Sequence, residues 1–145
     1  MLLQDFLHHA NWLAILVAAL TYFVLGALWY SALFQKPWMA GHKISPPTTD
    51  EDKARMKKQM PMLMLTTLLM NIVVAVVIGM MVMALGSVKC VAGIKLGLAL
   101  SVIGSIPMVM SHMYLQKPMK VWIIDAMYHT TSIVLMSIII SVWHH

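Results

Sequence analysis

The sequence is poor in charged residues and contains a single cysteine. Only 10% of its 145 residues are charged, whereas soluble domains carry about 25% charged residues. The low charge therefore argues against an ordinary soluble domain and favours a membrane protein. Cys90 has no second cysteine with which to form an intramolecular disulfide, and a cysteine-based metal site is excluded for the same reason.

Sequence motifs of soluble enzymes are missing as well. The chain has no Gly-rich phosphate loop, no nucleophile elbow, no paired carboxylates and no His-Glu-x-x-His string. Hydrolytic and nucleotide-using enzymes of the soluble type are thereby excluded, and no cofactor is predicted. The net charge of +5 does not indicate a nucleic-acid partner, because the basic residues lie beside apolar runs. Membrane lipids with anionic headgroups are the better partner for them.

The chain contains four apolar runs that are long enough to cross a membrane. They cover residues 11–34, 62–86, 94–115 and 121–143. A helix needs about 20 apolar residues to cross roughly 30 Å of hydrocarbon, and helical hydrogen bonds satisfy the backbone there. We therefore predict an all-α membrane protein, a four-transmembrane-helix bundle that forms one domain over residues 1–145. Residues 1–10 contain no Lys or Arg, so the first run is predicted to be a retained span and not a signal peptide.

Lysine and arginine are distributed unevenly between the two sides of these spans. The connections after the first and third spans face the same side and contain eight basic residues, namely Lys36, Lys43, Lys53, Arg55, Lys57, Lys58, Lys117 and Lys120. The other side has only Lys89 and Lys95, and neither terminus adds any. The positive-inside rule then places residues 35–61 in the cytoplasm of a bacterial plasma (inner) membrane, with both termini outside.

The connection over residues 35–61 carries signals for a short helix of its own. Thr49 is a candidate N-cap, and the acids Asp50, Glu51 and Asp52 fill the first turn, where the helix dipole favours negative charge. We predict a short cytoplasmic juxtamembrane helix that runs into the second span and is bent or broken near Pro61. Turns are predicted at Gly86-Ser87 and at residues 116–118.

Small residues recur at four-residue steps in the predicted spans, most clearly at Gly93, Gly97, Ser101 and Ser105 of the third. Small residues at this spacing let helix backbones approach closely in lipid. Packing inside one bundle is the favoured interpretation, and a self-association face is the alternative. A bundle of this size buries little surface internally, so a homo-oligomer is expected.

One acidic residue lies inside an apolar run. Asp125 is the only acid in any of the four, and a carboxylate in hydrocarbon costs roughly 2.5–3.5 kcal/mol. His129 follows one helical turn later, on the same helix face. Polar or aromatic residues lie at similar depths in the other spans, namely His112, Trp29 and Tyr30, with Asn71 somewhat deeper. The sequence therefore predicts a polar cluster in the cytoplasmic half of the bundle.

Three functions are compatible with this cluster. The favoured one is binding or transport of a small solute, an ion or a proton, with Asp125 as the titrating acid and His129 as its relay partner. Tyr30, Asn71 and His112 would then orient these groups. The alternative is a non-transporting structural, assembly or accessory protein, in which the cluster only fixes helix packing. The third is a metal or haem redox protein, but the spacing of the histidines matches no known signature, so no metal site is predicted.

A second group of histidines is predicted on the outer side. His8 and His9 precede the first span, and His144 and His145 end the chain. Together with 16 methionines they raise the idea of copper, for which thioether and imidazole are suitable ligands. Most of the methionines lie inside spans, where they fill apolar space. Copper is therefore the less favoured interpretation.

Two segments resemble a known family of small bacterial membrane proteins with four predicted spans. The first segment runs from Asn11-Trp12-Leu13-Ala14 through Gly26-Ala27-Leu28-Trp29-Tyr30-Ser31 to Lys36-Pro37-Trp38-Met39, and the second is Ile124-Asp125-Ala126-Met127-Tyr128-His129. The family is catalogued as domain of unknown function 1761 and supplies no activity. The resemblance implies the four-span architecture and singles out Trp29, Tyr30, Asp125, Tyr128 and His129.

Overall fold

The protein is helical throughout the residues that the computed structural model describes, which are 2–86 and 89–143. The helices are α1 (Leu2–His9), α2 (Trp12–Leu28), a π-helix (Trp29–Leu33), α3 (Gln35–Gly41), α4 (Asp50–Leu85), α5 (Cys90–Tyr114) and α6 (Met119–Val142). Ser87, predicted in a turn, and the outer histidines His144 and His145 lie outside the described residues.

Four stretches of helix in the described chain are long and apolar enough to cross a membrane. They are Trp12–Leu33, Asp50–Leu85, Cys90–Tyr114 and Met119–Val142. The predicted fold class is thereby confirmed, because these helices coincide with the four predicted spans. The protein is an all-α, multi-pass membrane protein.

The juxtamembrane helix and the second span form one continuous helix, α4, of 36 residues. Thr49 caps its start, accepting a hydrogen bond from the backbone N–H of Asp52 at 3.1 Å. The helix runs through Pro61 without a break. The carbonyl that loses its partner there belongs to Lys57, in an exposed stretch of helix, where water replaces the missing hydrogen bond. The predicted break near Pro61 is therefore absent, and the alternative of a bend there stays a prediction.

Two short helices were not predicted from the sequence. Helix α1 packs the ring of Phe6, which is only 1% exposed, against α4 at Gly79, where an added Cβ would lie 3.1 Å from the ring. Helix α3 follows the first span and folds back against α6. Gly41 permits this approach, because a Cβ at Gly41 would lie 2.1 Å from the side chain of Val121.

Helix α6 is the central helix of the bundle and contacts α2, α3, α4 and α5. The hydrophobic core lies between α2, α4 and α6 and includes Ala18, Ala75, Ile78 and Met136. Helix α5 packs closely on α6 through small residues. A Cβ at Gly97 would lie 2.6 Å from the Cα atom of Val134. The glycines of α5 therefore serve packing inside the bundle, which was the favoured interpretation of their spacing.

The first span ends in a π-helix over Trp29–Leu33. Its i to i+5 pattern is seen where the backbone N–H of Phe34 donates to the carbonyl of Trp29 at 2.9 Å. The Ser31 hydroxyl bonds to the carbonyl of Ala27 one turn earlier. Such segments contain one residue more per turn than an α-helix and often occur at functional sites. The π-helix and α3 together bring the end of the first span to α6.

Candidate functional site

Asp125 lies at the centre of a polar cluster that joins α2, α3, α5 and α6. The residue is only 7% exposed, and three side chains donate hydrogen bonds to its carboxylate. Oδ1 accepts from the Tyr30 hydroxyl at 2.8 Å and from the Trp38 indole N–H at 2.9 Å. Oδ2 accepts from Nε2 of His112 at 2.8 Å. The three donors come from three different helices, so this one carboxylate ties the end of the bundle together.

A second imidazole, that of His42, faces the same carboxylate from the end of α3. Its Nε2 lies 3.8 Å from Oδ2 of Asp125, too far for a hydrogen bond. Its Nδ1 lies 3.3 Å from Nζ of Lys117, whose ammonium group donates to it. Because Nδ1 accepts from Lys117, neutral His42 carries its proton on Nε2, and this N–H faces Asp125. His42 therefore lies between a basic side chain near the surface and the buried carboxylate.

The environment of His42 lowers the pKa of its imidazole below the ordinary value of 6.5. Burial is the main cause, because it disfavours the charged form, and the ammonium of Lys117 adds to the effect. The carboxylate of Asp125 acts in the opposite direction but does not prevail. His42 is therefore neutral at pH 7.

The lowered pKa of His42 predicts a loss of stability on acidification. Below pH 6.5 the unfolded chain binds a proton at His42 more readily than the folded protein does, so stability falls as the pH drops through this range. We expect the His42→Asn variant to show a smaller decrease in thermal midpoint between about pH 7.5 and about pH 5.5 than the unaltered protein. Circular dichroism of the purified protein in lipid nanodiscs measures both midpoints.

The control for this measurement is His8→Asn, because His8 is exposed on α1. It should leave the pH dependence unchanged. An equal decrease in the thermal midpoint for His42→Asn and for the unaltered protein would contradict the assignment of the effect to His42.

No hydrogen bond joins His129 to Asp125 among the described residues, although the helical spacing predicted the two as partners. Its Nδ1 lies 3.1 Å from the Tyr22 hydroxyl. Its Nε2 is buried against Gly104, where a Cβ would lie 2.2 Å from this nitrogen, and it has no hydrogen-bond partner among the described residues. The imidazole therefore lies between α2 and α5, one turn further along α6 than the carboxylate.

Aromatic rings lie between the Asp125 carboxylate and the imidazole of His129. They belong to the first span and to Tyr128. Tyr128 has its ring centroid 4.9 Å from that of Tyr30 and 5.5 Å from that of Tyr22. Its hydroxyl donates to the Tyr22 carbonyl at 3.4 Å. Trp29 is buried beside Tyr128 and donates its indole N–H to the carbonyl of Ile124 at 3.2 Å. Both residues were predicted at the site, and they form one wall of the cluster.

Asn71 was predicted to orient the cluster, but no hydrogen bond joins it to Asp125 in the described part of the chain. It is 7% exposed on α4, and its amide nitrogen has no partner among the described residues. Helix α4 therefore contributes no hydrogen bond to the carboxylate. Helix α3 faces the carboxylate instead, through Trp38 and His42.

Trp38 and His42 are residues at the site that the sequence analysis missed, and so are their neighbours Tyr22 and Lys117. Trp38 and His42 lie four residues apart in α3, in a stretch that was interpreted as a polar connection. The signal for Trp38 was its place in the Lys36–Met39 string of the resemblance. His42 had no comparable signal.

The cluster offers a carboxylate and two imidazoles, but they do not form a recognisable metal centre. In residues 2–86 and 89–143, no group of three or more His, Cys, Asp or Glu side chains is placed to hold a metal ion. His112 and His129, the ligands considered for a redox centre, bond to different partners. The cluster does bring together one carboxylate and two imidazoles, which are side chains of the kinds that carry protons in proteins.

Comparisons with known proteins identify a family without identifying an activity. No curated protein and no solved structure matches the chain. The model of one family, described as "Protein of unknown function (DUF1761)", matches residues 13–141. This match covers the four spans except for their outermost residues Trp12 and Val142, and it includes α3 and every residue of the Asp125 cluster. The chain therefore belongs to the DUF1761 family.

Proposed function

We propose that the protein binds a proton at Asp125, and that this proton comes from the aqueous phase at the end of the bundle where α3 packs on α6. The observation that carries the proposal is the lack of a fixed positive charge beside the carboxylate. Within the described residues, the only ionisable nitrogens within 4.0 Å of it belong to His112 and His42. A proton on any of the three groups makes the cluster neutral overall.

Charge neutralisation is a strong driving force at this position. A buried carboxylate without a permanent counter-ion costs several kcal/mol in a membrane or protein interior. The three hydrogen bonds from Tyr30, Trp38 and His112 reduce that cost without removing the charge. A proton removes the charge and is small enough to enter a cluster that is already filled with side chains. Larger solutes would have to displace those side chains first.

His42 and Lys117 supply the route for the proton. The Lys117 ammonium can give a proton to Nδ1 of His42, while Nε2 of the same ring passes its own proton to Oδ2 of Asp125. Lys117 then recovers a proton from water, so that the net change is one proton moved from solvent to the carboxylate. The 3.8 Å gap between Nε2 and Oδ2 has to close by about 1 Å for the transfer. His42 lies at the end of α3 and Asp125 lies on α6, so a small shift of α3 towards α6 closes the gap.

The charge distribution supports a cytoplasmic position for this end of the protein. Four lysines lie close to the cluster, in or beside α3 and the turn between α5 and α6, namely Lys36, Lys43, Lys117 and Lys120. By the positive-inside rule, the proton would enter from the cytoplasm of a plasma membrane, with both chain termini on the opposite side. Reactivity of a single cysteine introduced at Lys43 towards a membrane-impermeant reagent, in a Cys90→Ser background, tests this orientation.

Proton binding at Asp125 predicts a difference in titration between the protein and its Asp125→Asn variant. We expect the unaltered protein in lipid nanodiscs to take up about one proton more per chain than Asp125→Asn when the medium is acidified. The amide of asparagine keeps the size of the side chain and an oxygen acceptor but does not bind a proton. Potentiometric titration of the two samples measures the number directly.

The matched control is Asp50→Asn, which removes an exposed acid that is paired with the exposed Lys53. This variant leaves the cluster intact, so the proton uptake that Asp125→Asn loses should persist in it. Equal proton uptake by the unaltered protein and by Asp125→Asn would refute proton binding at the cluster.

A structural role is the second candidate, and one observation favours it. The carboxylate already has three hydrogen-bond donors from three helices, which is the arrangement expected of a residue that fixes helix packing. In that case the protein is a non-transporting structural or accessory component of the membrane. The titration separates the two functions, because a purely structural role of the carboxylate requires no proton uptake.

A further inference from the structure

Helix α4 has one face that is buried at one end of the helix and exposed at the other. At the buried end, this inward face is formed by residues at steps of four, three and four, namely Asn71, Ala75, Ile78 and Val82. None of the four is more than 7% exposed. Further steps of three and four continue the inward face towards the start of the helix through Leu68, Met64, Met60, Lys57 and Lys53. The inward face therefore extends past the hydrophobic core of the bundle.

No helix of the described chain covers this extension of the inward face. All residues from 53 to 67 are exposed, and Met60 and Met64 are 43% and 45% exposed. Helix α3 packs on α6 instead. The two thioether side chains therefore form an apolar strip on the side of α4 that faces the bundle. Methionine side chains adapt readily to the shape of a flexible partner.

Lys57 lies at the depth of lipid headgroups. The apolar run of α4 begins five residues later, at Met62, which corresponds to about 7.5 Å along the helix axis. The headgroup layer of one leaflet is about 5–7.5 Å thick. Among the described residues, no carboxylate oxygen lies within 4.0 Å of the Lys57 ammonium, whereas Lys53 pairs with Asp50 at 3.3 Å. Lys57 is therefore available to bind a phosphate at this depth.

We propose that the inward face of α4 between Lys53 and Leu68 binds one anionic phospholipid. Lys57 binds the headgroup phosphate, and the acyl chains lie along Met60 and Met64 towards Leu68. The order of the side chains along the helix, first basic and then apolar, matches the order of headgroup and chains in the leaflet. The inference is independent of proton binding at Asp125, because it concerns a different face of the protein.

Two other occupants fit the inward face less well. A second copy of the chain, related by a two-fold axis along the membrane normal, would bring two Lys57 ammonium groups together, and like charges repel each other. An acidic peptide would match the charge of Lys57 but would have to enter hydrocarbon to cover Met64. Its backbone groups would lose their hydrogen bonds to water there. A phospholipid supplies the charge and the apolar chains together.

Native mass spectrometry of the full chain in detergent measures the binding directly. Phosphatidylglycerol is titrated into the protein, and phosphatidylcholine with the same acyl chains is the neutral comparison. We expect Lys57→Gln to bind phosphatidylglycerol about fivefold more weakly than the unaltered protein does. The matched control is Lys58→Gln, which removes the same charge at nearly the same depth but lies about 100° further around the helix. It should leave the affinity unchanged, and phosphatidylcholine should bind more weakly than phosphatidylglycerol.

A second pair of variants tests the apolar strip. Met64→Gln should weaken the binding of phosphatidylglycerol, because it places an amide against the acyl chains. Met62→Gln is the control, since Met62 is 69% exposed on the opposite side of α4, and it should have no effect. All four substitutions are at exposed positions, and circular dichroism checks that the helices are kept.

Three results would overturn the inference. Equal weakening by Lys57→Gln and Lys58→Gln would show only the general attraction of a basic surface for anionic lipid. Equal affinity for phosphatidylcholine and phosphatidylglycerol would remove the role of the phosphate charge. A dimer in the same spectra that is lost in Met64→Gln would assign the inward face to a second copy of the chain.

Discussion

Replacement of Asp125 by leucine is expected to lower the free energy of unfolding by about 3–5 kcal/mol. Leucine has nearly the same size but accepts no hydrogen bond, so the donors of Tyr30, Trp38 and His112 lose their common acceptor. Each buried donor without an acceptor costs about 1–3 kcal/mol, which outweighs the gain from removing a buried charge. Equilibrium unfolding with SDS in mixed micelles, followed by circular dichroism, gives the difference.

The Asp125→Asn variant provides the matched comparison for this experiment. Its carbonyl oxygen can still accept from Tyr30 and Trp38, so its loss of stability should be clearly smaller than that of leucine. Asp50→Leu changes an exposed acid in the same way and should stay within about 0.5 kcal/mol of the unaltered protein. A leucine variant as stable as the unaltered protein would mean that the donors find other partners, and that the carboxylate does not hold the helices together.

Replacement of Gly97 by leucine should separate α5 from α6. A Cβ at this position would lie 2.6 Å from the Cα atom of Val134, and backbone at this distance cannot move aside without moving the whole helix. We expect the free energy of unfolding to fall by about 3 kcal/mol or more, because overpacking and lost contacts along the helix pair both contribute. The same SDS unfolding measurement applies.

The site offers a second readout for Gly97→Leu. His112 reaches Asp125 from α5, so displacement of α5 should weaken that contact and alter the ¹⁵N signal of His112. Ala99→Leu is the control, since Ala99 is two residues away on an exposed face of the same helix. Similar losses of stability for the two variants would show that the close approach at Gly97 is not a special feature.

The spans could be predicted from the sequence because hydrocarbon imposes a simple requirement. Runs of about 20 apolar residues must be helical there, and all four predicted runs are helices in the structure. Helices α1 and α3 were missed because they lie outside this requirement. Their stability comes from tertiary contacts, such as Phe6 on Gly79 and Gly41 on Val121, and such contacts leave no periodic signal in short segments.

The centre of the site could be predicted, but its connections only in part. Asp125 stood out because it is a lone acid in hydrocarbon, and Tyr30 and His112 followed from their depth in the spans. No hydrogen bond joins Asp125 and His129 among the described residues, because a shared helix face does not decide where two side chains point. The short carboxylate accepts hydrogen bonds from the π-helix, α3 and α5, while the longer imidazole extends towards Tyr22 and Gly104.

The first span ends in the π-helix at Trp29–Leu33, and α3 follows it directly. The number of residues in this span therefore decides which side of α3 faces the cluster. One residue corresponds to a rotation of about 100° around a helix axis. A relative of this protein that lacked one of the residues 31–33 would keep its hydropathy, its number of spans and all the side chains of the cluster. Its α3 would nevertheless be turned by that angle, and Trp38 would point away from Asp125. Insertions and deletions in Trp29–Leu33 can therefore dismantle the site in evolution as effectively as a substitution of Asp125.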